Sequence, residues 1–211
     1  YVEDEYFIAG EATAYSADGA WGEDGDWAAT AGDTAPYTTR MVVRRPTDPE
    51  AFNGTVLVEW LNVSSGMEAD PGFGLAHDLL LRDGYAYVGV SAQAGGVTGE
   101  GALRLDIPGF QAQSLKEWDP DRYAPLQHPG DAWSYDIYSQ VAQVVRRPGD
   151  IDPLDGLDVE RVIAAGESQS AMRMVTYVNA VHPLADIYDG FLVHSRGGGG
   201  APLGDTADDP V

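Results

Sequence analysis

Gly166-Glu167-Ser168-Gln169-Ser170 is the stretch of this sequence best suited to covalent chemistry. A serine hydroxyl becomes a nucleophile when a sharp strand-to-helix turn presents it beside a base and donors that hold an oxyanion. The pattern G-x-S-x-G serves that turn because small residues two before and two after the serine let strand and helix pass closely. Gly166 meets the need, and Ser170 replaces the second glycine by the next small residue. A helix opening at Gln169 would offer N–H groups and its positive dipole end to the oxyanion. The plainer alternative is that Ser168 is an N-cap, a position serine favours. Context favours the nucleophile: Glu160–Ala165 reads as a short apolar strand, and Ser168–Val181 as a helix with Ala171, Met174, Val175 and Val178 inward.

A nucleophile needs a base, and the chain has four histidines. His194 closes a strand expected over Tyr188–His194, at the carboxyl end where parallel sheets bind ligands. It is expected to line the pocket; it follows the nucleophile's strand too directly to leave room for an acid-bearing strand between them. His182, beside Pro183 at a helix end, reads as structural. His77 belongs to a helix surface, and His128 to the turn before Pro129-Gly130-Asp131. There is no cysteine, hence no thiolate nucleophile or thiolate metal site. Glu23, Asp24 and Asp26 have no EF-hand spacing, so a solvated turn is expected and the chemistry calls for no metal or cofactor.

The elements that would position these residues alternate in type. Phe7–Tyr15 and Tyr37–Arg45 read as strands flanking a Gly- and Asp-rich loop over Ser16–Pro36. Thr55–Val63 is a nearly continuous apolar run, the signature of a strand covered on both faces. Pro71–Arg82 is a helix stopped by Gly84, and Tyr85–Ala92 a second buried strand. Asp131 looks like the N-cap of a helix running to about Arg147, with Tyr135, Tyr138, Val141, Ala142 and Val145 at helical spacing. Strands alternating with helices predict an α/β fold: a mostly parallel sheet wrapped by helices, entered by two antiparallel strands. Residues 93–130 carry no regular signal and are expected as a long loop over the active-site face, with Phe110, Trp118 and Tyr123 framing a cleft. Residues 196–211 read as a flexible glycine-rich and acidic tail.

The 211 residues carry 12 Lys+Arg against 34 Asp+Glu, a formal net charge of −22. Such a surface repels phosphate, which argues against nucleic acid or an anionic membrane as partner. With 44% hydrophobic residues the chain is no disordered acidic tail, and no run of 18 apolar residues is present to span a bilayer.

Gly166–Ala171, Val175–Pro183 and Tyr188–Gly197 resemble a family of bacterial α/β-hydrolase-domain proteins, predicted serine hydrolases with a G-x-S-Q-[SG] elbow. Pro36–Arg40, Phe52–Val63 and His128–Asp136 fit the same family, so the similarity covers nearly the whole chain. The resemblance implies an α/β-hydrolase fold in which Ser168 forms the acyl-enzyme and the backbone N–H of Gln169 is one oxyanion donor. It implies a second donor from the loop Leu61–Ser64, at Asn62 or Val63. It also implies the chain order serine, acid, histidine, yet no acid-bearing strand and final histidine follow Ser168. These residues are therefore expected to be the N-terminal portion of a single hydrolase domain, completed by a second polypeptide that carries the acid and the histidine. The expected activity is cleavage of a small-molecule carboxylic ester. The same serine also serves amide or thioester hydrolysis, and an incomplete triad would leave a hydrolase-like binding protein. A soluble protein of the bacterial cytoplasm or a secreted one is expected; no signal peptide is visible.

Overall fold

The computed structural model describes residues 1–101, 109 and 111–204. Six strands form one sheet: β1 (Val2–Ala17), β2 (Ala29–Arg45), β3 (Thr55–Trp60), β4 (Ala86–Val90), β5 (Arg161–Glu167) and β6 (Gly190–His194). Their order is β1-β2-β4-β3-β5-β6. β2 runs antiparallel to β1 and β4; β4, β3, β5 and β6 are mutually parallel. The helices are α1 (Pro71–Arg82), α2 (Ala94–Val97), α3 (Leu115–Trp118), α4 (Ser134–Arg146), α5 (Gln169–Thr176) and α6 (His182–Ala185).

The alternation of side chains along β3 divides the core into two layers. Val56, Val58 and Trp60 pack with Val88, Val90, Val162 and Ala164 against Tyr135, Tyr138, Val141 and Val145 of α4 and Met174 of α5. Leu57, Tyr87 and Ala165 face the other way, against Leu80 and Phe73 of α1. Both faces of β3 and β4 are covered, which is why their sequences are apolar without alternation.

Two polar groups tie the layers to the sheet. Glu59, 1% exposed, points from β3 at the start of α1, where its carboxylate accepts the N–H groups of Gly72 (2.7 Å) and Phe73 (3.1 Å) and the hydroxyl of Tyr87 (2.7 Å). It does the work of a cap that Asp70, with no side-chain cap bond, does not do. A Cβ on Gly72 would lie 2.8 Å from this carboxylate, so glycine is what allows the approach. The Tyr138 hydroxyl donates to Val58 O (2.6 Å) and accepts from Ala165 N (3.2 Å), bridging β3 and β5 from α4.

Three expectations change. The β1–β2 hairpin is longer than composition predicted: residues 29–36, expected as loop, pair along β1 from Ala17↔Ala29 to Glu11↔Pro36. Backbone pairing with an already formed strand overrides weak strand propensity there. Residues 93–130 contain α2 and α3, the latter closed by a capping box between Ser114 and Glu117, and Gln127 pairs with Thr38 of β2. In the expected tail, Arg196–Gly199 is exposed, but Ala201 and Leu203 are buried at 7% and 2%. Thr176 Oγ1 donates to Ala201 O (2.5 Å), and Tyr135 and Arg173 donate to Pro202 O (2.9 and 3.0 Å). Residues 205–211 lie outside the described residues.

No helix among the described residues is long and apolar enough to cross a membrane. The substitution Glu59→Ala strands two amides and a phenol at a buried helix start; it is expected to lower unfolding free energy by about 3 kcal/mol in urea denaturation.

Candidate active site

β5 ends at Glu167 and α5 begins at Gln169, so one residue, Ser168, turns the chain. It does so at φ 56° and ψ −111°. A non-glycine residue in such a region costs about 1–3 kcal/mol and persists only where its surroundings impose it. Here β5 is held by β3 on one side and β6 on the other, and the first turn of α5 lies back across the strand. A Cβ on Gly166 would stand 2.6 Å from Ser170 O and 2.7 Å from Met174 Cγ, so no larger residue fits the crossing. Ser170 is fully buried in the same crossing.

The Ser168 N–H donates to His194 O (3.2 Å), and its carbonyl accepts from Met172 N (3.2 Å). The residue is partly buried, and its hydroxyl has no hydrogen-bond partner among the described residues. The N–H of Gln169, at the start of α5, likewise meets no acceptor among them.

Asn62 differs from the expected oxyanion donor. Its backbone N–H donates to Ala69 O and its carbonyl accepts from Ala69 N, both at 2.9 Å, so this amide is consumed by a bridge within the loop. Its side chain instead ties the loop to the elbow: Nδ2 donates to Glu167 O (2.9 Å) and Oδ1 accepts from Ser64 N (2.8 Å). Val63, 9% exposed, keeps a backbone N–H with no acceptor among the described residues.

The histidines are dispersed. His194 lies opposite Glu167 at the end of β6, with Nδ1 3.2 Å from Ser195 Oγ. Its imidazole makes no hydrogen bond to Ser168 among the described residues, although its carbonyl holds the elbow. His182 Nε2 lies 3.0 Å from Tyr188 O, and the ring packs edge-on against Phe191 at 4.8 Å. His128 accepts from Gly130 N at Nδ1 (3.2 Å) and reaches Ala92 O with Nε2 (2.9 Å), bracing a turn; His77 lies exposed against Gly74 O.

The aromatic residues expected to frame a cleft do not gather at Ser168. Tyr123 is 2% exposed, packs with Val97, Leu115 and Leu126, and donates its hydroxyl to Glu5 of β1 (2.9 Å), at the opposite end of the sheet order from β5. Trp118 is 66% exposed and lies over Tyr123 with centroids 6.2 Å apart. The loop thus packs on itself and on β1. Phe110 lies outside the described residues. A cavity of about 200 Å³ opens over β2 and β4 between Arg40, Arg44, Leu61, Glu68 and Tyr87, and Ser168 does not line it. Burial pushes the Glu68 carboxyl up, against the pull of the Arg40 guanidinium.

The residues that sequence reasoning missed lie behind the elbow. Gln93, 4% exposed, accepts from Trp60 Nε1 (3.0 Å) and from Gln169 Nε2 (2.9 Å). Its own Nε2 donates to Asp131 Oδ2 (3.0 Å), which also receives Arg173 of α5 (2.8 Å). Asp131 is therefore not the cap expected from its place before a helix; its Oδ1 accepts Ala94 N (2.9 Å) instead. The available signal was position: Gln93 closely follows β4 at the carboxyl edge of the sheet.

Comparison with known proteins agrees with this architecture. The family model for an alpha/beta hydrolase domain matches residues 1–211. No curated protein matches the chain in sequence. Among solved structures, a serine hydrolase without lid from Xanthomonas campestris is 18% identical, with TM-score 0.35, covering 66% of this chain and 48% of its own. Brefeldin A esterase, a bacterial homologue of human hormone-sensitive lipase, is 13% identical, with TM-score 0.41 and coverage of 89% and 39%. Acetyl xylan esterase 1 from a Thermoanaerobacterium species is 14% identical, with TM-score 0.32 and coverage of 75% and 46%. The chain thus spans less than half the length of each of these three structures. With the model matching from the first residue to the last, the chain belongs to the alpha/beta hydrolase domain family.

Proposed function

We propose that this chain carries the nucleophile of a serine hydrolase acting on carboxylic esters. The observation that carries the reading is Ser168, held at φ 56° between β5 and α5 over a glycine that admits no Cβ. A backbone strained in this way at an accessible serine is what a nucleophile elbow requires, and a plain N-cap does not need it. Membership of the alpha/beta hydrolase domain family agrees with it.

In this reading Ser168 Oγ attacks the ester carbonyl as a histidine takes its proton. The N–H groups of Gln169 and Val63 receive the oxyanion. The alcohol then leaves with the proton returned by the histidine, and water, activated by the same histidine, releases the acid and restores the serine. The histidine and its acid come from a polypeptide segment outside these 211 residues. Its place is the free edge of β6, which among the described strands pairs only with β5 and leaves Leu192 46% exposed. Amide and thioester hydrolysis would use the same serine and donors.

A second reading, a hydrolase-like binding protein, is favoured by one observation: no imidazole reaches the Ser168 hydroxyl among the described residues. A fluorophosphonate probe separates the two. Covalent labelling of Ser168 in the full-length protein is expected under the enzyme reading, and an unlabelled serine would support the binder.

Ser168→Ala is expected to lower hydrolysis of an activated ester by about a thousandfold or more with an unchanged circular-dichroism spectrum; retained turnover would overturn the mechanism. Gly166→Val, forced against Ser170 O, is expected to cost about 2–3 kcal/mol in thermal or urea unfolding and to abolish labelling of Ser168.

A further inference from the structure

The groups beside the Ser168 turn form a chain of buried and partly buried hydrogen bonds that ends on Gln169. We propose that Gln93 and Asp131 are positioning residues for the oxyanion hole, acting on the Gln169 amide through the Gln169 side chain. The proposal rests on the serine-nucleophile reading and adds residues to it.

Gln93 has only one useful orientation here. Its Oε1 accepts from both Trp60 Nε1 and Gln169 Nε2, while its Nε2 donates to Asp131 Oδ2. Reversing the amide would set donor against donor and acceptor against acceptor, so Asp131 and Trp60 together fix which end faces Gln169. Trp60 and Gln93 are 0% and 4% exposed, so water does not compete for the bond between them, and the Gln93 end of the other two bonds is shielded as well.

Asp131 also grips α5 directly. Arg173, four residues beyond Gln169, donates to the oxygen that receives Gln93. Residues four apart share a helix face, so Asp131 holds one end of that face directly at Arg173 and the other at Gln169 through Gln93. Its other oxygen accepts Ala94 N, which keeps the chain after β4 in place to present Gln93. Asp131 thereby couples the segment after β4 to α5.

The elbow needs such a restraint. Ser168 occupies a costly backbone conformation, and the peptide between Ser168 and Gln169 carries the proposed donor. A shift of about 1 Å in a catalytic group costs about a hundredfold in rate. Anchoring Gln169 behind the helix start resists rotation of that peptide. It also commits the Gln169 side-chain nitrogen to Gln93, so in this proposal Gln169 contributes its backbone rather than a recognition group.

The test compares Gln93→Met, Gln169→Met and the double variant in the full-length protein. Each single change removes one end of the Gln93–Gln169 bond at nearly constant volume. The expected result is a fall in kcat on the order of tenfold in each, short of the hundredfold or more that follows loss of an oxyanion donor, with KM unchanged. The rate of fluorophosphonate labelling should fall in parallel, and the double variant should be no slower than the slower single one. A merely structural role would move the melting temperature and leave kcat of the folded enzyme near the wild-type value; that result, or strictly additive losses, overturns the proposal. Should Gln93→Met fail to fold, Gln169→Met alone decides by its kcat and KM, because its side chain is only partly buried. A wild-type protein inert to the probe at Ser168 would overturn the nucleophile reading and this one together, whereas a labelled wild type with unaffected variants overturns this one alone.

Discussion

Between Glu167 and Gln169 a fully hydrogen-bonded strand must become a helix that runs back across it, and one residue is available to make the change. The crossing is so close that Ser170 O and Met174 occupy the space a Cβ at position 166 would need. The rest of the structure follows from holding that turn. β3 and β6 clamp β5 from either side, the carbonyl of His194 takes the Ser168 amide, and Asn62 takes the carbonyl of Glu167. The strain at Ser168 is local, and the restraints come from β3 with the loop that follows it and from β6, both distant in sequence.

Buried polar groups do much of this restraining. Glu59 starts α1, the Tyr138 hydroxyl joins β3 to β5, and Asp131 joins the segment after β4 to α5. Glu59 and Tyr138 are buried, where an unpaired polar group would cost more than its bond returns, and Asp131 is partly shielded from water. Such groups penalise alternative placements more than they stabilise the fold, which makes them suited to fixing a site's geometry. The chain from 201 to 203 joins the same arrangement, since Arg173 reaches both Asp131 and Pro202.

Much of the sheet was legible. Val56, Val58 and Val88 sit in apolar runs because both faces of β3 and β4 are covered, and burial on two faces is visible as composition. The sharp strand-to-helix turn was legible because it is local: Gly166, Ser168 and Ser170 are within five residues, and the strain and the close crossing are properties of that short stretch. The β1–β2 hairpin was legible only in part, since residues 29–36 are strand only while paired with β1. The roles of Tyr123 and Asp131 were misread for a related reason. An aromatic in a long loop and an acid before a helix each have a common local use, but Glu5 and Arg173, their partners here, are distant in sequence.

The sequence by itself determined the order of elements, the two-faced burial of the central strands and the serine that turns β5 into α5, because each depends on side-chain periodicity or on adjacent residues. Only the tertiary structure decided what surrounds that serine. It committed the amide of Asn62 to Ala69, left that of Val63 without an acceptor among the described residues, seated Tyr123 against Glu5 of β1 and linked Gln93, Asp131 and Arg173 to one another beside Gln169. These are contacts between chain segments up to 118 residues apart, set by strand order and the distribution of buried hydrogen bonds. No local pattern carries that information, because a donor's partner is chosen by what else must be satisfied in the same dry space.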